Sequence, residues 1–194
     1  MIKNIILFFI FLILPNFSLA CDKEDFLKYV SAEKNRCIAL QTIGEINKNK
    51  KNLIIFLHGD LSSGAKPPGK KGYWKLGNEL LSKNVNFFFL ARPGYTLDSG
   101  RKSYGSYKET RKAKTNYKWE KLELVAKAAQ NLKEYYNADN LIMIGHSGGA
   151  LTSATINSRV PKLIDKSILI SCPCDFENWR KMKGESVFKL KTSP

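Results

Sequence analysis

Four short apolar runs constrain this chain more than anything else in it. They are Leu53 to Leu57 (LIIFL), Val85 to Leu90 (VNFFFL), Leu141 to Ile144 (LIMI) and Ser167 to Ser171 (SILIS). Each is too short for a buried helix, and a short apolar run, continuous in LIIFL and LIMI, broken by Asn86 in VNFFFL and flanked by serines in SILIS, is expected of a strand buried on both faces. Helical spacing separates them. Tyr73, Leu76, Leu80 and Leu81 share a face between Tyr73 and Lys83; Trp119, Leu122, Ala126, Ala129, Leu132 and Tyr136 mark an amphipathic helix of about five turns. Small residues from Gly148 to Ser158 form a third helical segment, ended by Pro161. Buried strands alternating with helices predict the α/β class, with a mostly parallel sheet flanked by helices.

The segments before and after this alternation are read from the same periodicities. Asp22 to Lys34 has helical spacing, with Phe26, Leu27 and Val30 on one side; Cys37 to Ile46 alternates and predicts a strand. Arg92-Pro93-Gly94-Tyr95 stops the strand before it, and a polar tail with Phe176 and Trp179 runs to Pro194. No internal repeat or low-complexity stretch interrupts the 194 residues, a length that suits one domain.

The first twenty residues, MIKNIILFFIFLILPNFSLA, differ from the rest. One lysine precedes an apolar run from Ile5 to Leu14, and Ser18-Leu19-Ala20 offers small residues for cleavage. The run is half the roughly twenty residues that a helix needs to cross about 30 Å of hydrocarbon. Residues 1–20 are therefore expected to be a cleaved signal peptide and 21–194 the mature domain, secreted or periplasmic, with no transmembrane segment after cleavage. A membrane anchor is one alternative. Lipid attachment at Cys21 is the other, although Ser18 stands three positions before it, where such sites usually have leucine.

Export implies an oxidising space in which disulfides persist. Cys21, Cys37, Cys172 and Cys174 allow three complete pairings. The favoured one joins Cys21 to Cys37, stapling the N-terminal segment to the first strand. Cys172-Pro173-Cys174 reads as too tight for an easy internal bridge, and two cysteines without a second cluster make a poor zinc site, so no metal is expected.

The net charge is +15, and removing Lys3 with the signal peptide leaves 15 − 1 = +14. The excess is 26 Lys against 6 Arg and is scattered, dense only from Arg101 to Lys121 (RKSYGSYKETRKAKTNYKWEK). Basic and aromatic residues together suit single-stranded nucleic acid. An exported chain does not ordinarily meet it, and an anionic envelope surface or an acidic substrate is the better use of such charge. No nucleic-acid partner is expected.

The third apolar run continues into Gly145-His146-Ser147-Gly148-Gly149. Gly-x-Ser-x-Gly after a strand and before a helix builds a sharp turn with the serine at its tip. Gly145 and Gly149 remove side chains that would collide where strand and helix meet, and so form the elbow. The Gly148 N–H lies at a helix N-terminus, where unpaired donors and the helix dipole favour negative charge. Upstream, the run at Leu53 ends in His58-Gly59-Asp60, whose Asp60 (or Leu61) N–H is a candidate second donor.

These pieces in this order, LIIFLHGD, FFFLARPGY, LIMIGHSGG and SILIS, make the stretch from Cys37 to Ser171 resemble the α/β-hydrolase fold superfamily, specifically its serine esterases and peptidases. The resemblance implies an ester or peptide substrate of small size, no cofactor, Ser147 as catalytic nucleophile, and Asp60 and Gly148 as oxyanion-hole donors. It also implies an acid and then a histidine after the serine. Only 47 residues follow Ser147, with one clear strand and no histidine. The expectation is an incomplete α/β-hydrolase fold lacking its last strands, truncated before the catalytic acid and histidine, and inactive alone. Its last strand should then lie open at the sheet edge. Of the two histidines, His146 adjoins Ser147 and points elsewhere, while His58 suits a loop-ordering role. Asp175 has no histidine to orient, and Asp165 and Glu177 have less claim still. The alternative is a non-catalytic envelope-binding protein built on a hydrolase core.

Overall fold

The structure is a computed structural model, and it describes residues 25–60, 70–80, 84–106 and 116–184. The signal segment, Cys21, Leu61 and part of the basic stretch lie outside these.

Six strands form one sheet: β1 (Tyr29–Glu33), β2 (Arg36–Ile43), β3 (Asn52–Leu57), β4 (Val85–Leu90), β5 (Asn140–His146) and β6 (Lys166–Ile170). Four helices accompany them: α1 (Lys70–Leu80), α2 (Trp119–Tyr135), α3 (Gly148–Arg159) and α4 (Phe176–Met182). The spatial order is β1-β2-β4-β3-β5-β6. β1 pairs antiparallel with β2, and β2 with β4; the β4-β3-β5-β6 portion is parallel.

β3, β4 and β5 follow their apolar runs because both of their faces are covered. In β3, Leu53, Ile55 and Leu57 point into a core shared with α2 and α3, while Ile54 and Phe56 point into the opposite core. β4 divides likewise, with Phe88 and Leu90 on the first face and Phe87 and Phe89 on the second. Leu76 and Leu80 of α1 pack on that second core. From α2, Leu122, Val125, Ala129 and Leu132 enter the first core, and burying each such leucine contributes about 1.5–3 kcal/mol.

Three sequence expectations are corrected. Tyr29 to Glu33 is a strand, not part of a helix. Val30 and Ala32 alternate into the core, and Asn35 adopts φ 63°, letting the chain reverse at once into β2. The polar tail contains α4, capped by the Asp175 carboxylate accepting from Asn178 N–H at 3.1 Å, with Phe176 buried. Cys172 and Cys174 do form a disulfide. Their Cα atoms are 5.1 Å apart, well short of the ~7 Å of two extended residues, so the backbone folds back at Pro173 between them. Cys37 is also disulfide-bonded; Cys21, its expected partner, is outside the described residues.

β6 pairs with β5, and among the described residues no strand lies on its other side. Ile168, Leu169 and Ile170 keep 49%, 40% and 38% of their surface exposed, where β3 and β4 are almost fully buried. The apolar strand is the open edge that the sequence leads one to expect.

Candidate functional site

The register puts the C-terminal ends of the parallel strands at one edge: Leu57 lies opposite Leu90 and Gly145, and His146 opposite Ile170. His58-Gly59-Asp60, Arg92 and Ser147 all leave the sheet there. In open α/β sheets this is the edge at which ligands bind.

Ser147 sits between β5 and α3 at φ 50°, ψ −117°, a conformation that L residues avoid. The close approach of strand and helix explains both flanking glycines. A Cβ on Gly145 would lie 2.5 Å from Gly149 O and 2.6 Å from Ala150 N; one on Gly149 would lie 2.2 Å from Leu57 O. Ser147 N–H donates to Ile170 O at 2.8 Å, tying the turn to β6. The Ser147 carbonyl then accepts from Ala150 and Leu151 N–H, starting α3.

The loop after β3 runs alongside this turn. A Cβ on Gly59 would lie 3.1 Å from Ser147 Cβ and 3.0 Å from His146 Nδ1, so Gly59 lets the loop pass close to the serine. The structure thus brings together Ser147, Gly148 and Asp60. Among the described residues, neither the Asp60 nor the Gly148 backbone N–H has an acceptor.

Neither histidine is placed as a base for Ser147. His58 is 2% exposed; its Nδ1–H donates to Gly59 O at 2.7 Å and its Nε2 accepts from Arg92 N–H at 3.2 Å. Burial, reinforced by the Arg92 charge, pushes its pKa down to about 3. It is a neutral strut joining two loops. The His146 ring leans on Gly59, and no hydrogen bond to Ser147 Oγ forms among the described residues. Asp175 is occupied as the α4 cap. Asp165 binds Lys133 and Leu141 N–H near the N-terminal end of β5, away from the serine. Glu177 lies in the first turn of α4.

The Asp60 side chain has a role that the sequence did not reveal. Its Oδ1 accepts from Arg92 Nη2, from Asn116 Nδ2 at 3.0 Å and from Tyr95 Oη at 3.2 Å; Oδ2 accepts from Tyr117 Oη at 2.5 Å. Tyr117 Oη and Asp60 Oδ1 lie 2.1 and 2.7 Å from where a Gly148 Cβ would be, so this cluster presses on the start of α3. Desolvation by these neighbours opposes the Asp60 charge, but Arg92 and the donated hydrogen bonds outweigh it and hold its pKa below the usual range. Arg92 is 2% exposed. Burial works against its charge too, and Asp60 more than compensates, raising its pKa. Burial holds Tyr95 and Tyr117 protonated, as hydrogen-bond donors. In sequence, Arg92 to Tyr95 read only as the end of a strand and Tyr117 only as part of a basic stretch. The available signal was position: both belong to segments joined to the edge where Ser147 emerges.

Comparison with known proteins agrees with the topology. The chain aligns with Est1E of Butyrivibrio proteoclasticus, in its ferulic acid complex, with a TM-score of 0.59 at 16% identity, covering 86% of this chain and 61% of that one. A Pyrococcus furiosus esterase aligns with a TM-score of 0.55 at 22% identity, covering 80% and 53%. This chain has the α/β-hydrolase fold. An esterase of Exiguobacterium antarcticum gives 0.51 at 17% identity, covering 75% and 45%. The chain thus spans about half to three-fifths of the length of these α/β-hydrolases. No protein-family profile matches the sequence, and no curated protein does. Among the described residues, no group of three or more His, Cys, Asp and Glu gathers that could hold a metal, and no helix is long and apolar enough to cross a membrane.

Proposed function

We propose that this chain is the nucleophile-bearing part of an exported serine hydrolase that cleaves a small ester or a peptide acyl bond. The observation that carries the reading is the Ser147 turn. A strained serine on a strand-to-helix elbow, with two unengaged backbone N–H groups beside it, is what an acyl-transfer nucleophile and its oxyanion require. In this reading Ser147 Oγ attacks the carbonyl carbon, and the Asp60 and Gly148 N–H groups receive the negative oxygen. The esterase structures that align with the chain support an ester substrate.

Among the described residues no side chain is placed to take the serine's proton: both ring nitrogens of His58 are engaged, and no histidine follows Ser147 in the sequence. We therefore infer that the acid and histidine come from sequence beyond residue 194 and that these residues alone do not turn over. Removing a triad member in well-studied hydrolases leaves about 10³–10⁴-fold over water. The deciding experiment reads the coding sequence past codon 194 and expresses the joined product. An acid and then a Gly-His segment, with ester hydrolysis lost in Ser147→Ala, supports the proposal. A stop with no such segment in any frame favours a non-catalytic binding protein of the envelope, which the lack of a base for Ser147 would suit.

A further inference from the structure

The turn after β6 carries chemistry that the acyl-transfer reading does not use. Cys172 and Cys174 are bridged across a single residue; Pro173 is buried, Cys172 half-buried and Cys174 exposed. A disulfide stabilises a fold by restricting the unfolded chain, and that restriction shrinks with loop length. A bridge spanning one residue restricts almost nothing, so folding does little to keep it closed against external thiols. Exposure at Cys174 gives an attacking thiolate access to sulfur.

The bridge sits within a chain of contacts that leads to the serine. Just before it, Ile170 O accepts the Ser147 N–H at 2.8 Å. Just after it, Asp175 caps α4, and Phe176 meets Tyr117 edge to face at 5.6 Å. Tyr117 in turn donates to the Asp60 carboxylate. The bridge clamps the short link between these two supports of the elbow.

We propose that Cys172–Cys174 is a thiol-exchange site for low-molecular-weight thiols of the glutathione class, and that opening it loosens the link between β6 and α4. A thiolate attacks Cys174 Sγ, forming a mixed disulfide as the Cys172–Cys174 bond breaks, and Cys172 leaves as a thiolate that takes a proton. A second thiolate attacks the small-molecule sulfur of the mixed disulfide and releases the oxidised small disulfide and the Cys174 thiolate. Two electrons pass from two small thiols to the bridge, and an oxidised small disulfide drives the reverse. The proposal does not depend on hydrolase activity.

The test equilibrates the 194-residue protein in mixtures of reduced and oxidised glutathione, traps thiols with iodoacetamide and maps them by mass. The bridge at Cys37 is the internal reference. Cys172 and Cys174 are expected to open at a reducing strength at least about tenfold weaker than Cys37 requires. Hydrogen exchange of peptides containing Ser147 and Phe176 to Met182 is expected to rise several-fold on opening, and the double variant Cys172→Ser, Cys174→Ser should show the same raised exchange. Opening of Cys37 first or together with this pair would overturn the exchange site. Unchanged exchange in the opened protein and in the double variant would overturn the mechanical link.

Discussion

The strain at Ser147 leads to a stability prediction that needs no assay of activity. The residue holds φ 50°, ψ −117°, where a Cβ is disfavoured and glycine is at ease. A non-glycine residue held in such a region costs about 1–3 kcal/mol. Ser147→Ala keeps the Cβ and therefore the strain, and it loses little else, since Oγ has no hydrogen bond among the described residues. Ser147→Gly removes the strain but adds about 0.5–1 kcal/mol of unfolded-chain entropy. The difference leaves Ser147→Gly more stable than Ser147→Ala by about 0–2.5 kcal/mol, centred on about 1 kcal/mol, which is roughly 2–4 °C in Tm for a domain of this size. Urea and thermal unfolding of the two variants beside the parent would measure it. A glycine variant less stable than the alanine variant would refute the strained elbow, and with it the structural reason for placing the nucleophile here.

Other perturbations follow from the same contacts. Gly149→Ala puts a methyl 2.2 Å from the Leu57 carbonyl, which is backbone and cannot yield cheaply, so it should cost more than about 3 kcal/mol or abolish folding in a denaturation assay. Asp60→Leu strands the buried Arg92 charge and should destabilise by about 3–5 kcal/mol; adding Arg92→Met should recover part of that loss, a coupling visible in a double-mutant cycle. His58, neutral in the fold with a pKa of about 3 against an ordinary 6.5, favours folding fully above pH 6.5. Below that the unfolded chain gains a proton that the folded one refuses, so stability falls between about pH 6.5 and 3, at up to about 1.4 kcal/mol per pH unit. Asp60, with its depressed pKa, adds a further loss at the acid end of that range. His58→Gln should flatten the upper part of the profile measured by urea titration at several pH values.

Much of the fold was legible because burial on both faces writes a short apolar run, and β3, β4 and β5 fall where such runs lie; β6 also falls on an apolar run, although its residues stay exposed at the edge. β1 was not, since Phe26, Leu27 and Val30 fit a helical face as readily as Val30 and Ala32 fit an alternating strand over five residues. Only pairing with β2 decides between them. The elbow was legible because steric exclusion leaves glycine at Gly145 and Gly149, a constraint carried by residue identity. The cluster around Asp60 was hidden because Arg92, Tyr95, Asn116 and Tyr117 approach it from 32 to 57 residues away in sequence. No local pattern records such a meeting. The Cys172–Cys174 bridge was not legible because it depends on the backbone at Pro173 bringing the two Cα atoms to 5.1 Å, and residue identity alone does not fix whether that residue is extended or folded back.

The most direct test of the central claim, a correctly built nucleophile turn without a base, is reaction of the purified 194-residue protein with a fluorophosphonate probe, read by intact mass and peptide mapping. The account predicts no adduct at Ser147 above the level in Ser147→Ala, under conditions that fully label a complete serine esterase. Stoichiometric labelling of Ser147, lost in Ser147→Ala, would contradict it by showing that a group within this chain already removes the serine's proton.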